Sequence, residues 1–530
     1  MSQPASPTAG TLVWQPSVNP WLVAASVMLA TILEVLDTSV ANVAIPHIAG
    51  NLSASTDEAT WVLTSYLVSN AIVLPMTGWL SGFFGRKRFL IACILFFTLA
   101  SAACGAAASL GFLILARVLQ GAAGGALQPL SQAILMESFP PAKRGMAMAV
   151  FGVGVVVAPI IGPILGGWIT DNYSWRWIFF INVPLGALAI VMSQAFVEDP
   201  PYLRDARKRL GGNVDYIGFG ALSLWLGTLQ VILDRGQEDD WFNAGWICWA
   251  SVISVVSLVF LLAWELRVKH PLVDIRILRN RNFATATLLI TVVGIVLYST
   301  IALLPLFLQG LMNYPAFNSG MAMSPRGLGA ICALMAVGVL VSRIDARLLI
   351  ALGFSILAYS CLGFGNLNLE IATKNVVWSN ILSGVGTGFI FVPLTMIGMG
   401  ALPNEQMGNA AGVFNLMRNI GGSIGIAMAT TLVARGTQTH QALMVGQLSP
   451  YRPEFQQHLQ SAAAMLSQQT DPASAQRQAY GLLYGTLQRQ ANLFAYVDTF
   501  RWLALLCVLC VPLVLLFKRT KSRKGPVGLH

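Results

Sequence analysis

Long apolar runs separated by short polar loops are the dominant pattern of this 530-residue chain. A helix that crosses a membrane needs ~20 mostly apolar residues, because the hydrocarbon layer is ~30 Å thick. The short alternating segments typical of membrane β-barrel strands do not occur in the sequence. We therefore predict fourteen helical spans, at about 21–46, 59–80, 89–108, 110–134, 146–169, 177–197, 214–233, 243–265, 283–308, 320–341, 346–365, 373–399, 409–434 and 498–517.

Composition supports the membrane class. Hydrophobic residues make up 55% of the chain and charged residues only 10%, whereas soluble proteins carry about 25% charged residues. The net charge of +10 does not indicate a nucleic-acid partner, because the basic residues lie in short loops between apolar runs. The prediction is an all-α integral membrane protein.

The basic residues also predict an orientation, because cytoplasmic loops carry an excess of Lys and Arg. If the N-terminus is inside, the short loops of the opposite side hold only Arg176, Arg235 and Lys374. Both termini are therefore expected in the cytoplasm. Residues 1–20 contain no Lys or Arg and so lack the basic start of a signal peptide, which makes the first span a retained helix.

The spans predict the following organisation. Residues 1–20 are a cytoplasmic tail, 21–197 a six-helix bundle, 198–282 a linker with two extra spans, 283–517 a second six-helix bundle and 518–530 a basic cytoplasmic tail.

One connection inside the second bundle, residues 435–497, is much longer than the others. Structureless loops of that length are uncommon and often functional. Apolar residues recur there at helical spacing, at Phe455, Leu459, Ala463 and Leu466. We interpret the segment as an external helical subdomain that faces water or a partner, and a disordered linker is the alternative.

Ionisable residues inside spans are costly and mark substrate or proton pathways. Glu34 and Asp37 are three residues apart in span 1 and so share one helix face. Two carboxylates in a low-dielectric surrounding rarely both ionise, and Arg117 in span 4 is their natural counter-charge. We predict that these three residues couple protons to transport. A permanent ion pair that only fixes helix packing is the alternative.

The candidates for substrate contact are polar side chains that the spans could present to a cavity. They are Glu34, Asn42, Gln120, Arg326, Asn415 and Arg418. Aromatic and Met side chains from both bundles would line the rest of that cavity, a surface that can re-pack around varied ligands. The two arginines of the second bundle could attract acidic substrates.

Glycine pairs at GxxxG spacing let helix backbones approach closely, and they occur at 78–82, 121–125, 162–166, 384–388 and 421–425. GGSIG at 421–425 also matches a hydrolase GxSxG motif, but Ser423 lies in an apolar run with no strand before it. No GxxxxGK[ST] phosphate loop accompanies the spans. We therefore expect neither an enzyme nor an ATP-driven pump, and no metal site.

Several segments, in their order along the chain, resemble motifs of the major facilitator superfamily. GWLSGFFGRKRFL (78–90) resembles its loop motif between helices 2 and 3, LILARVLQGAAGG (113–125) its helix 4 motif and VAPIIGPILGGW (157–168) its helix 5 antiporter motif. LDTSVANVAIPHI (36–48) resembles the helix 1 motif of the fourteen-helix drug:proton antiporters. WRWIFFINVPLG (175–186), LDRGQEDDW (233–241), HPLVDIRILRNRNF (270–283) and RNIGGSIG (418–425) resemble EmrB-type multidrug exporters.

This resemblance implies a major facilitator fold, in which two six-helix bundles surround a cavity and spans 7 and 8 are inserted between them. Asp37 and Arg117 would serve proton coupling, and the proton gradient would drive transport without a cofactor. EmrB-type pumps work with a periplasmic adaptor and an outer-membrane channel, which implies 435–497 as the docking element. The conformational and packing motifs would include Gly78, Gly85, Arg86, Gly121, Gly162, Pro163, Gly166 and Gly167.

Two positions depart from the family pattern. Gly82 stands where the loop motif usually has Asp, and Glu34 where the EmrB exporter usually has Gln. The extra carboxylate would either bind cationic drugs or share proton traffic.

The sequence thus predicts a proton-coupled exporter of amphiphilic toxic compounds, the inner-membrane component of a tripartite efflux pump that confers antibiotic resistance. A dedicated exporter of an organic acid or siderophore is one alternative. A non-transporting membrane receptor or scaffold is another.

Overall fold

The computed structural model describes residues 16–200, 215–268, 271–400, 402–403, 406–446, 448–449, 451–468 and 470–518. Part of the predicted linker, residues 201–214, and most of both tails lie outside these residues. Within them the chain is helical, with α1 (Pro20–Asn51), α2 (Thr56–Val73), α3 (Thr77–Phe84), α4 (Arg86–Gly105), α5 (Leu110–Gly124), α6 (Leu127–Ser138), α7 (Arg144–Asn172), α8 (Trp177–Phe180), α9 (Asn182–Phe196), α10 (Tyr216–Arg235), α11 (Gly245–Arg267), α12 (Arg281–Pro305), α13 (Ala316–Met323), α14 (Pro325–Leu340), α15 (Ala346–Phe364), α16 (Thr373–Gly400), α17 (Met407–Val445), α18 (Pro453–Leu466) and α19 (Pro472–Leu513).

Thirteen helical stretches of the described chain are long and apolar enough to cross a membrane. They coincide with thirteen of the predicted spans, so the all-α multi-pass membrane class is confirmed. The remaining predicted span, 409–434, lies within α17, which is not among these thirteen stretches. Its Asn415 and Arg418 are buried against other helices rather than exposed to lipid, and so α17 can complete a bundle without being uniformly apolar.

The helices form two bundles of six spans with a pair of helices between them. In the first bundle α2 with α3, α5 with α6, and α8 with α9 are each one broken span, and in the second bundle α13 with α14 is another. The inserted helices α10 and α11 pack on each other, and α10 also contacts α2 and α17. The inserted pair therefore touches both bundles.

The GxxxG glycines allow close contacts inside each bundle. A Cβ atom on Gly121 would lie 2.3 Å from the carbonyl oxygen of Tyr66, and one on Gly421 would lie 2.2 Å from that of Thr291. Real Cβ atoms do not approach that closely, so only glycine permits these helix pairs to pack as they do. The glycine spacing is a packing signal here, as predicted.

The two bundles contact each other at the helix ends next to the basic loops 86–88 and 143–144. Gly78 of α3 lies against the backbone of Asn409 at the start of α17, where a Cβ would be 2.5 Å from the Asn409 nitrogen. A second contact between the bundles joins α7 and α16, where the rings of Phe151 and Phe391 stack with centroids 6.4 Å apart. These contacts close the space between the bundles at that end.

Helices α17 and α19 are far longer than a membrane requires. They contain 39 and 42 residues, which corresponds to ~60 Å each at 1.5 Å per residue. Most of the segment 435–497 belongs to them, and α18 packs on α19 through Phe455, Leu459 and Ala479. The long connection between spans 13 and 14 is thus helical over its described residues and extends beyond the apolar layer.

Candidate functional site

A buried polar cluster in the first bundle is centred on Asp37 of α1. Arg117 of α5 donates a hydrogen bond to Asp37 Oδ2 at 2.6 Å, and Gln120 of α5 donates to Asp37 Oδ1 at 2.8 Å. Asn182, the first residue of α9, donates to the same Oδ1 at 2.7 Å and also to Ser101 Oγ at 3.0 Å. Three donors from two helices therefore converge on this carboxylate.

Arg117 has further contacts that fix it independently of Asp37. Its Nε donates to the carbonyl oxygen of Val62 at 3.1 Å and its Nη1 to Gln120 Oε1 at 2.8 Å. The guanidinium lies over the ring of Tyr66, 4.1 Å from its centroid. A cation over an aromatic face is stabilised by the ring quadrupole. Arg117 would therefore keep its position if Asp37 became neutral.

The pair is sealed from solvent in this conformation. The side chains of Arg117 and Asp37 are 0% and 1% exposed. Because two charges so deeply buried are expensive unless both remain paired, loss of either one would leave the other uncompensated. A proton can reach Asp37 only after the helices around it have moved.

Glu34 lies one turn before Asp37 but has a different partner. Its Oε1 accepts a hydrogen bond from Asn70 of α2 at 3.1 Å, and it forms no ion pair among the residues that the structure describes. Residues three apart in a helix point ~60° away from each other around its axis, so the two carboxylates face different neighbours. The structure brings Asp37 and Arg117 together and keeps Glu34 apart from them.

The remaining substrate-contact candidates fall into four environments. Gln120 belongs to the Asp37 cluster, and Asn42 is exposed on α1. Arg326 at the start of α14 donates to Thr300 Oγ1 at 3.1 Å within the second bundle.

Asn415 and Arg418 of α17, in contrast, face α6 of the first bundle. Asn415 donates to Gln132 Oε1 at 2.7 Å, and Arg418 donates to Gln128 Oε1 at 2.6 Å. Two hydrogen bonds between polar side chains of α17 and α6 thus link the two bundles.

The loop motif at 78–90 is built around a tight turn and a buried ion pair. Gly85 has φ +88°, a backbone conformation that side chains other than glycine rarely adopt. The next residue, Arg86, pairs with Glu137 of α6, and both side chains are buried. The backbone nitrogen of Lys87 donates to Asp199 Oδ1 at 2.8 Å, and this hydrogen bond caps the start of α4. These contacts bind the loop to the first bundle without the Asp that Gly82 replaces.

The helix 5 motif lies in α7 against α1. Gly162 faces Ser39 and Gly166 faces Val40, with Cβ positions 2.4 Å and 3.0 Å from the nearest side-chain atoms. Pro163 and Gly167 occupy the same stretch of α7, where the carbonyl oxygen of Gly167 accepts a hydrogen bond from Thr170 at 3.0 Å. The motif therefore allows close contact between α7 and the helix that carries Asp37.

Sequence reasoning missed several residues of these clusters, chiefly amides. Asn70, Gln128, Gln132 and Asn182 are neutral, and the predicted substrate-contact residues included other amides of the spans but not these four. A search for every polar side chain in an apolar run would have included all four. Glu137 was missed because the fourth span was predicted to end at residue 134, whereas α6 continues to Ser138.

Comparison with known proteins gives this arrangement a family. The model described as Major Facilitator Superfamily matches residues 27–426. The chain is a member of the major facilitator superfamily. The multidrug export protein EmrB of Escherichia coli strain K12 is 37% identical over 478 residues, which cover 90% of this chain and 91% of that protein. The predicted membership of the superfamily and the likeness to EmrB-type exporters are confirmed.

Two further comparisons extend the picture of this superfamily member. The fatty acid resistance protein FarB of Neisseria gonorrhoeae is 36% identical over 493 residues, 93% of this chain and 95% of FarB. The crystal structure of the human organic anion transporter MFSD10 matches 93% of this chain and all of that chain, with a TM-score of 0.55 and 13% identity. That likeness shows the fold alone. The chain is therefore a transporter of the major facilitator fold, related most clearly to multidrug exporters.

Proposed function

We propose that the protein is a proton-coupled exporter of amphiphilic toxic compounds in the inner membrane, driven by the proton gradient without a cofactor. One observation carries the proposal. Asp37 is a buried carboxylate that is paired with Arg117 and hydrogen-bonded by Gln120 and Asn182. A group of this kind can exist in two states, charged and paired or protonated and released, which proton coupling requires.

The cluster supports a simple cycle. A proton that adds to Asp37 removes the charge that Arg117 compensates, while Arg117 keeps Val62, Gln120 and the Tyr66 ring as partners. Binding energy between α1 and α5 then falls, and the bundles can rock toward their other conformation. When Asp37 loses the proton, its ion pair with Arg117 forms again and α1 and α5 return to their first arrangement. Drug release and proton uptake would therefore alternate at Asp37.

The proposal places both termini and the basic loops in the cytoplasm. The contacts of Gly78 with Asn409 and of Phe151 with Phe391 would then close the cytoplasmic side. In this orientation the outer parts of α17 and α19, together with α18, lie in the periplasm. We propose them as the docking element for a periplasmic adaptor and an outer-membrane channel, which would make the chain one part of a tripartite pump.

Acidic substrates are a second candidate class within the same function. Arg326 and Arg418 lie within the second bundle, and no acidic side chain of the described residues lies within 4.0 Å of either. The likeness to FarB, which is named for fatty acid resistance, points in the same direction. A dedicated exporter of an organic acid would prefer anions to lipophilic cations in a resistance panel.

Everted membrane vesicles test the coupling. In energised vesicles that contain the wild-type protein, addition of an exported compound should release protons from the acidic lumen. The Asp37→Asn variant, at equal abundance in the membrane, should show no substrate-dependent proton movement and no efflux. Asp239→Asn is the matched control, because Asp239 is exposed in the loop after α10. Wild-type proton release by the Asp37 variant would contradict the proposal.

A further inference from the structure

Two buried ionisable side chains, one acidic and one basic and each from a different bundle, have no ion-pair partner among the residues that the structure describes. Glu34 of α1 is 8% exposed and Arg418 of α17 is 5% exposed. Among the described residues, neither has an oppositely charged side chain within 4.0 Å. Buried charges are normally paired, so this arrangement needs an explanation.

Each charge also has an atom whose hydrogen-bonding capacity is not used. Glu34 accepts from Asn70 with Oε1, whereas its Oε2 is buried and accepts no hydrogen bond. Arg418 donates from Nη2 to Gln128 at 2.6 Å, whereas its buried Nε has no acceptor. Unsatisfied buried groups of this kind are costly. They mark positions that a ligand could satisfy.

The two groups belong to one site. Gln128, which binds Arg418, is three residues after Gly125, and a Cβ on Gly125 would lie 2.4 Å from the carbonyl oxygen of Asn70. Asn70 in turn binds Glu34, and Gln128 binds Arg418. The break between α5 and α6 therefore brings a carboxylate of the first bundle and a guanidinium of the second to the same place.

We propose that Glu34 and Arg418, positioned by Asn70 and Gln128, form one bipolar subsite that selects amphiphiles carrying both an amine and a carboxylate. The amine binds the free oxygen of Glu34, and the carboxylate binds the guanidinium of Arg418. A compound with only one of these charges leaves the other buried group unsatisfied, which is how sites with polar groups reject incomplete ligands. The inference rests on the export function proposed above and specifies its substrate class.

The position of the subsite fits a transported ligand. Glu34 and Arg418 are on helices of different bundles, so their separation changes when the bundles rock. A bound zwitterion bridges the bundles in one conformation and loses one of its two contacts in the other. The same residues can thus bind and release the compound.

Binding to the purified full-length protein tests this assignment. The probes are three naphthalene compounds that carry an aminomethyl group, a carboxylate or both, with the uncharged parent as reference, and tryptophan fluorescence reports their binding. The wild-type protein should bind the compound with both groups at least ~10-fold more tightly than either singly charged compound, a difference of ~1.4 kcal/mol. Equal affinities for all three charged compounds would overturn the proposal.

Two near-isosteric variants test the two halves of the subsite separately. Glu34→Gln should bind the doubly charged compound no better than the acid, and Arg418→Gln should bind it no better than the amine. Thermal unfolding in detergent confirms that both variants are folded. If both lost affinity for every probe equally, including the uncharged parent, the residues would be structural and the proposal wrong.

The test separates this inference from the export function itself. Binding in detergent needs no proton gradient, so Asp37→Asn should keep the preference for the doubly charged probe while it loses efflux. The wild-type protein could show substrate-dependent proton movement and still bind the three charged probes equally. That result would refute the subsite and leave the proposed function intact.

Discussion

Asp37 and Glu34 are three residues apart in one helix and have separate environments. Asp37 is held by Arg117, Gln120 and Asn182, while Glu34 is held by Asn70 alone. The carboxylate of Asp37 has three donors, one of them cationic, and so both of its oxygens are engaged. A carboxylate with one neutral donor and a free oxygen is available for another partner. The two acids therefore suit different tasks.

The Asp37–Arg117 pair allows a prediction about stability. Arg117→Met should destabilise the protein by about 3–5 kcal/mol, because it leaves the carboxylate of Asp37 buried and uncompensated. The double variant with Asp37→Asn should recover part of that loss, since no lone charge remains. Chemical unfolding of the purified protein in detergent measures both values. A double variant as unstable as the sum of the single variants would show that the pair has no energetic coupling.

Single glycines set how closely the bundles approach. Gly78→Ala places a Cβ 2.5 Å from the Asn409 nitrogen, so we expect the bundles to separate at that end. Ser81 is buried at the same contact, and a Ser81→Cys reporter in a background without the native cysteines should be labelled severalfold faster by N-ethylmaleimide in the Gly78→Ala protein.

Gly111→Ala is the matched control for that experiment, because nothing lies within 4 Å of a Cβ at Gly111. It should leave labelling of the Ser81→Cys reporter unchanged. Unchanged labelling in Gly78→Ala as well would mean that the contact between α3 and α17 does not hold the bundles together.

Among the helices, the inserted α10 has an unusual set of contacts. It is joined to α2 by Asp234, which accepts a hydrogen bond from Thr64, and by Arg235, whose Nη2 donates to Thr60 at 2.8 Å. It is joined to α17 through Gln230, which accepts from Ser423 at 2.9 Å. One helix therefore connects the two bundles on the side away from the Gly78 contact.

This connection predicts an effect of locking α10 to the second bundle. Cysteines at Gln230 and Ser423, in a background without the native cysteines, should form a disulfide on mild oxidation. Efflux should then fall at least ~10-fold and recover on reduction, because α10 is held to α2 as well and would tie the bundles together. Leu224→Cys with Ser423→Cys is the control, since Leu224 is exposed on α10. Full efflux by the cross-linked protein would show that α10 moves with α17.

For the molecule as a whole, α18 and the part of α19 that packs on it form a helical unit with an apolar core of its own. Its small apolar core consists of Phe455, Leu459 and Ala479, and Tyr451 and Met465 are exposed at 95% and 75%. Large exposed apolar side chains outside the membrane indicate a surface that could be covered by another protein.

We therefore expect different results in vesicles and in cells when residues 447–471 are replaced by a Gly/Ser linker of equal length. Efflux into everted vesicles should persist, because the cluster around Asp37 is untouched. Under the docking role proposed above, drug resistance of intact cells should fall, because a periplasmic adaptor would have lost its binding surface. Equal losses in both assays would indicate that the unit supports the fold of α17 and α19 rather than a partner.

The predictions from sequence were most accurate where the cause is local. Membrane thickness fixes the length of an apolar helix, so the span boundaries could be read from the chain. The signal was less accurate for the end of span 4, since α6 continues to Ser138, and for α17, whose Asn415 and Arg418 are buried against other helices. The pairing of Asp37 with Arg117 was also anticipated, because a buried charge requires a counter-charge.

The sequence by itself thus determined the membrane class, the approximate positions of thirteen spans, the family and the identity of the costly buried charges. Only the tertiary structure decided which partners those charges have. Asp37 pairs with Arg117, Glu34 accepts a hydrogen bond from Asn70, and Arg418 donates to Gln128 of the other bundle. The tertiary structure also decided that α10 connects both bundles. The physical reason is that burial and helix length follow from consecutive residues, whereas a contact between side chains depends on how distant helices rotate and pack.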